Sequence, residues 1–399
     1  VTNLANATSA LDGDLNVAKS AASSAIDALT NLTDAQKSAA KSAATAATTA
    51  SAATSAASDA TTLDGDMSSL KAAITAAESA KNTTNYSEAT NQSALDAALT
   101  TAKEIADGTT DTSDSSTVTA ATTALTTATS ALDGDTVLAN AKSSAASAID
   151  ALTNLTDAQK SAAKSAAAAA TTSSAATSAA SAATTLDGNM SSLKAAITAA
   201  ESAKGTTSYT EATNKSTLDE ALTTAKAISD GTTDTSDSSV VTAATTKLTN
   251  ATNDLDGDTV LANAKSAATS AIDALTNLTD AQKSAAKSNV ESATTSSAAT
   301  SAASAATTLD GNMSDLKAAI TAAESAKNTT NYSEATNQLA LDAALTAAKE
   351  IADGTTDTSD SSTVTAATTA LTSATSALRG ETASEYARSS AASANDALT

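Results

Sequence analysis

The sequence predicts an all-α chain: tandem three-helix bundles joined by long shared helices into an elongated rod. Three observations predict it. The word LTNLTDAQK begins at Leu29, Leu152 and Leu275, at intervals of 152 − 29 = 123 and 275 − 152 = 123 residues, so the chain repeats. Apolar residues recur at alternating three- and four-residue steps through most of each copy, which is the spacing of one helix face. The apolar fraction is 41%, mostly alanine, and proline is absent. Alanine offers little area to bury, so many thin cores are expected in place of one large core.

A leucine–aspartate–glycine word divides each copy unevenly. Leu132 to Leu186 is 54 residues, Leu186 to Leu255 is 69, and 54 + 69 returns 123. Each copy therefore holds two different units. Residues 1–10 read as the end of a preceding repeat; 11–62, 132–185 and 255–308 as the shorter unit; 63–131, 186–254 and 309–377 as the longer unit; 378–399 as the start of a diverged next repeat. The chain begins and ends inside a repeat, so it is expected to belong to something longer, with any export or anchoring signal outside it.

In the shorter unit the first helix carries Leu138, Ala141, Ala145, Ile149 and Leu152 on one face. Thr156 with Gln159 three residues on forms a capping box, so a second helix is expected from Asp157. It fades at Thr171 to Ser174, and an alanine stripe then leads into the next glycine word. In the longer unit Met190, Leu193 and Ile197 share a helix face, a polar turn surrounds Gly205, and a helix is expected from Ser208 or Glu211 through Ile228. Gly231 is a natural helix stop, and the last helix is expected from Val240 toward Leu255. Alanine-, serine- and threonine-rich chains can be disordered. Caps, stops and apolar phase that agree in all three copies favour folded helices, because disorder does not need them.

The glycine words read as joints at Gly13, Gly65, Gly134, Gly188, Gly257, Gly311 and Gly380. Around Gly65 the stripe Ala53, Ala56, Ala60, Leu63, Met67, Leu70, Ile74 steps by 3, 4, 3, 4, 3 and 4 without a slip. One helix is therefore expected to run through the glycine, at about 1 kcal/mol relative to alanine. At the joint between copies the stripe Val118, Ala121, Leu125, Ala128, Leu132 restarts six residues later at Leu138, about 240° around the axis at 100° per residue. A continuous but bendable helix is expected there, with Asp135 as the cap if it breaks. The first copy is two residues shorter at this point: Leu11 to Lys19 spans 8 positions, Leu132 to Lys142 spans 10.

These motifs resemble two known module types. The longer unit resembles the FIVAR module through Tyr86-Ser87-Glu88-Ala89-Thr90, then Leu95, Ala98, Leu99, Ala102, Lys103, Ile105, then Val118, Ala121, Leu125 and Leu132. The shorter resembles the GA module through Ala18-Lys19, Ile26-Asp27, Leu29 to Lys37 and Lys41. Their alternation resembles the repeat regions of giant staphylococcal-type extracellular-matrix-binding surface proteins. The resemblance implies an extracellular segment, attached to a bacterial cell surface through parts not present here, that serves as a non-catalytic stalk. Its alternative implication is repeated weak binding to a host matrix protein such as fibronectin. Some GA modules bind albumin, but here the third helix of that unit, Ser51 to Thr62, is almost entirely Ala, Ser and Thr and lacks the large side chains of a contact surface.

Composition narrows the chemistry. With 22 basic and 44 acidic residues the net charge is −22, which repels nucleic-acid phosphates and anionic membranes. Cys, His, Trp, Phe and Pro are all absent, removing thiol nucleophiles, imidazole bases and soft-metal ligands. No spacing resembles a hydrolase motif, and the threonines follow no flat ice-binding period, so an enzyme is not expected and no cofactor or metal is assigned. No apolar run approaches the roughly 20 residues of a membrane span. Asp64 and Asp66 could suggest calcium, yet Met67 to Leu70 supply no closing ligand, and Asn189 and Asn312 replace the second aspartate. The loop at Asp107 to Ser116, repeated at Asp230 and Asp353, reads as a solvated capping loop more readily than as a cation or glycan site. Tyr86, Tyr209 and Tyr332 occur once per copy, as bundle-closing rings or weak partner contacts. Met67, Met190 and Met313 read as core. A monomer is expected. The last stretch, with Arg379, Glu385, Tyr386, Arg388 and Asn395 in place of the earlier isoleucine, departs from the pattern.

Overall fold

The computed structural model describes residues 1–333, 335–356 and 358–396, with the backbone alone at 4–11 and 381–383. The described residues are helical with no strand. The first copy holds α1 (Thr2–Asp27), α2 (Asp34–Ala46), α3 (Ala50–Ala80), α4 (Thr84–Ser87), α5 (Gln92–Ala106) and α6 (Ser115–Ser130). The second holds α7 (Gly134–Asp150), α8 (Asp157–Ala169), α9 (Ser173–Ala203), α10 (Thr207–Thr210), α11 (Lys215–Ser229) and α12 (Ser238–Asn253). The third holds α13 (Gly257–Asp273), α14 (Asp280–Ser292), α15 (Ser296–Lys327), α16 (Thr330–Ser333), α17 (Gln338–Ala352) and α18 (Ser361–Ser376), followed by α19 (Gly380–Asp396). The chain divides into two compact units, Val1–Ser191 with Thr233–Ser238, and Ser192–Thr232 with Ser239–Thr399.

In the first unit α1, α2 and the first half of α3 pack as one three-helix bundle. The second half of α3 packs with α5 and α6 as another. The capping box sets where α2 begins: the Thr33 hydroxyl accepts from Gln36 N, and Gln36 Oε1 accepts from Thr33 N at 3.0 Å. The expected stripe is the buried face of α3, with Ala53, Ala60, Leu63, Met67 and Leu70 buried and Ala56 and Ile74 half-buried. Met67 and Leu70 are fully enclosed, each contributing about 1.5–3 kcal/mol of apolar burial. A single apolar cluster runs from Ala22 and Ile26 through Leu63 and Met67 to Leu95, Ile105 and Leu125, so the two bundles share one core. The second unit repeats this from Ala268 and Ile272 through Met313 to Leu345 and Leu371.

Two expectations are corrected. The helix following the turn at Gly205 does not start at Ser208 or Glu211. A single turn, α10, comes first, and α11 begins at Lys215. Between copies the chain does not continue as a bendable helix: α6 ends at Ser130 and α7 starts at Gly134, with Asp133 in the cap position expected of Asp135. Leu132, just past the end of α6, still packs against the core of the first unit, and the new apolar face of α7 is reached by breaking the helix.

Candidate functional site

The features that repeat in every copy are the joints between bundles, and two kinds alternate. At the first kind, α3 runs unbroken through Gly65, which is exposed and has no atom within 4 Å of where a Cβ would stand. The flanking aspartates bind protein groups. Asp64 Oδ1 accepts from Asn31 N at 2.7 Å and Leu32 N at 3.2 Å, and Oδ2 accepts from Asn31 Nδ2 at 2.9 Å, tying the α1–α2 loop to the shared helix. Burial pushes the Asp64 carboxyl up, but the Asn31 and Leu32 donors and the Lys71 charge outweigh it, and the net shift is downward. Asp66 accepts from the Ser115 hydroxyl at the start of α6. Asn189 and Asn312 reach Ser238 and Ser361 with the bond reversed, their Nδ2 groups donating to the serine hydroxyls, and because a hydroxyl both donates and accepts, aspartate and asparagine interchange there.

A third contact crosses this joint. Gln36, 2% exposed, turns its Nε2 to Thr112 O at 2.7 Å and lies 3.7 Å from Met67 Sδ, so one side chain caps α2 and holds the loop of the neighbouring bundle. Gln159 with Thr235 at 2.6 Å and Gln282 with Thr358 at 2.8 Å repeat the bond. The loop is shaped for the approach: Gly108 has φ +83°, and a Cβ there would lie 3.3 Å from Thr33 Cγ2. Asp107 accepts from Thr109 N at 2.9 Å and Asp114 caps α6 through Ser116 N at 3.0 Å, so these carboxylates serve loop and cap geometry. Asp357, in the third copy of this loop, lies outside the described residues.

The second kind of joint is a three-point lock. Gly134, buried at the first position of α7, sits against the backbone of α4: a Cβ there would overlap Asn85 O and lie 2.7 Å from Ala89 N. Asp133 clamps the next turn, accepting from Thr90 N at 2.8 Å and Thr90 Oγ1 at 2.5 Å. Those donors hold its carboxyl below the usual carboxylate range. Glu88 caps α9, accepting from Ser173 N at 2.8 Å and Ser173 Oγ at 2.5 Å, and is likewise lowered by that hydroxyl and N–H. In the second unit Gly257 meets Ser208 and Ala212, Asp256 clamps Thr213 N at 2.7 Å, and Glu211 caps Ser296 N at 2.8 Å.

The sequence-predicted residues thus fall into different settings. Gly65, Gly188 and Gly311 lie inside α3, α9 and α15 in open space, and Gly13 lies likewise inside α1. Gly134, Gly257 and Gly380 each begin a helix and are wedged against backbone. Tyr86 is half-buried: its hydroxyl donates to Asp96 at 2.9 Å, and Lys81, 2.7 Å from Asp96, stands 5.2 Å from the ring centroid. Tyr209 and Tyr332 repeat this with Asp219 and Asp342. Met67, Met190 and Met313 are fully buried. Gln36 and Glu88 were missed as joint residues. Gln36 carried a capping signal that accounted for it locally, and Glu88 meets a partner 85 positions away. Among the described residues no group of three or more acidic side chains could hold a metal, and no helix is long and apolar enough to cross a membrane.

The GA module model matches residues 12–66, 135–189 and 258–312, and the FIVAR domain model matches 66–133, 189–256 and 312–379. An extracellular matrix-binding protein ebh of Staphylococcus aureus strain MW2 is 35% identical over 152 residues, covering 37% of this chain and 2% of its own length. The extracellular matrix-binding protein EbhA of strain Newman is 34% identical over 121 residues, covering 30% of this chain and 4% of its own. The chain therefore spans only a small part of these relatives. A crystal structure of an EbhA domain from Staphylococcus aureus aligns with TM-score 0.56 and 29% identity, covering 60% of this chain and 98% of that one. Alternating matches that run almost end to end, on a helical fold shared with that domain, place the chain in the family of GA and FIVAR repeat proteins.

Proposed function

We propose that this chain is a non-catalytic stalk segment of a large bacterial surface adhesin, extracellular and attached to the cell through segments beyond this sequence. Its work is to hold more distal domains away from the wall. The observation that carries this reading is that, within each compact unit, modules are tied by a shared helix with a buried glutamine at one kind of joint and by a wedged glycine with clamping carboxylates at the other. The six modules, with the boundaries read from the sequence and the glycine words as their joints, then act in series as a monomeric rod. One shared helix such as α3 has 31 residues, about 46 Å at 1.5 Å per residue, and a rod of three such pairs end to end would reach about 140 Å. The net charge of −22 would keep neighbouring stalks soluble and apart and disfavours nucleic acid and anionic membranes as partners.

Small-angle scattering tests the reading. A rod of that length has a radius of gyration of about 40 Å, against about 21 Å for a compact globule of this chain length. A value near the globular figure sinks the proposal.

The names of the relatives favour a second reading, in which the modules bind a host matrix protein through repeated weak contacts, with Tyr86, Tyr209 and Tyr332 as the recurring aromatic at each FIVAR module. Binding of the chain to immobilised fibronectin decides it. Saturation at micromolar concentration or below supports this role, and its absence leaves the stalk alone.

A further inference from the structure

The three locks between copies are not equal. Arg379 stands where the other two have a clamping aspartate, since 133 + 123 = 256 and 256 + 123 = 379. The geometric part of the third lock is kept. Gly380 begins α19 against α16, where a Cβ would overlap Asn331 O and lie 2.9 Å from Ala335 N, and Asn337 Nδ2 donates to Ala377 O at 2.7 Å. The electrostatic part is not kept. Asp133 and Asp256 accept the N–H and hydroxyl of Thr90 and Thr213. A guanidinium has donors only, so residue 379 offers no acceptor to Thr336, the equivalent threonine. Arg379 is exposed and precedes the first turn of α19, where the helix end favours a negative group and disfavours a positive one.

We propose that the third joint is a compliant elbow: α19 docks in the same cradle but is free to swing, while the first two joints are held. The change of one residue from aspartate to arginine thus sets where the chain bends. A difference between joints within one molecule does not depend on whether the chain serves as a stalk.

The chain has no cysteine, so paired spin labels can be placed without background. Ser216→Cys with Ser266→Cys spans the second joint. Leu339→Cys with Ser389→Cys, each 123 residues further on and exposed, spans the third. Pulsed dipolar distance measurement is expected to give a distribution at least twofold wider across the third joint. Arg379→Asp should narrow it to the width of the second, and Asp256→Arg should widen the second with helical content unchanged by circular dichroism. Equal widths in the parent protein overturn the inference. So does a third-joint width that ignores Arg379→Asp, because that width would come from α19 standing without further helices. Should Asp256→Arg unfold its bundle, the Arg379→Asp pair alone decides.

Discussion

Replacing two glycines from the same word, Gly65 and Gly134, with alanine should change stability in opposite directions. Gly65 is an exposed mid-helix residue with open space at its Cβ position. Gly65→Ala should therefore recover the propensity difference of about 1 kcal/mol. If a pair of modules unfolds together, the 123-residue repeat has an unfolding entropy of about 260 cal/mol/K at roughly 2.1 cal/mol/K per residue, so 1 kcal/mol raises Tm by about 4 °C. At Gly134 the same methyl group meets backbone on both sides, the Asn85 carbonyl in overlap and Ala89 N at 2.7 Å. Backbone cannot yield by changing rotamer, so the start of α7 must shift, at the roughly 1–3 kcal/mol typical of overpacking, a fall of about 4–12 °C for the units that depend on it. Calorimetric melts of the single and double variants measure both, and the effects should add because the sites share no partner. A lower Tm for Gly65→Ala or a higher one for Gly134→Ala refutes the distinction between the two joints.

Gln36→Ala should lower stability by about 1–3 kcal/mol in urea titrations, because it removes one arm of the capping box and leaves Thr112 O without its donor. Acid should destabilise the protein. Asp64, Glu88, Asp96, Asp114 and Asp133 all have folded-state pKa values depressed by their donors. Their contribution is present above the unfolded carboxylate range near pH 4 and is lost as pH falls through the lower folded values. With no histidine to titrate, circular-dichroism melts should be flat from about pH 5 to 8 and fall below about pH 4. Calcium at 10 mM should leave Tm unchanged, since the oxygens of Asp64 and Asp66 face Asn31 and Ser115. A site of 0.1 mM affinity would add about 2.7 kcal/mol, roughly 10 °C, which a melt detects easily.

The helices were legible because their determinants are local. Thr33 and Gln36 are three residues apart, the α3 stripe is a regular step, and Gly108 marks a stop by its own conformation. The helix through Gly65 could be counted out because phase carries through a continuous helix. The break at Gly134 could not, because it depends on Asn85 and Ala89 lying against that glycine, more than forty positions upstream. A two-residue gap in register reads equally as a bend or a break. Gln36 shows the same limit in another form: its role in capping is written in its neighbours, while its bond to Thr112 needs the shared helix to bring the second bundle alongside. The lock residues Glu88 and Asp133 look like ordinary surface acids in a chain with 44 of them.

One core and one helix run through a GA module and the FIVAR module after it, so the two should unfold as one unit. Pulling the chain end to end in a force spectrometer tests this directly. Unfolding steps should release about 120 residues together, roughly 42 nm of contour at about 3.5 Å per residue. Separate steps of about 19 and 24 nm, one for each module, would contradict this.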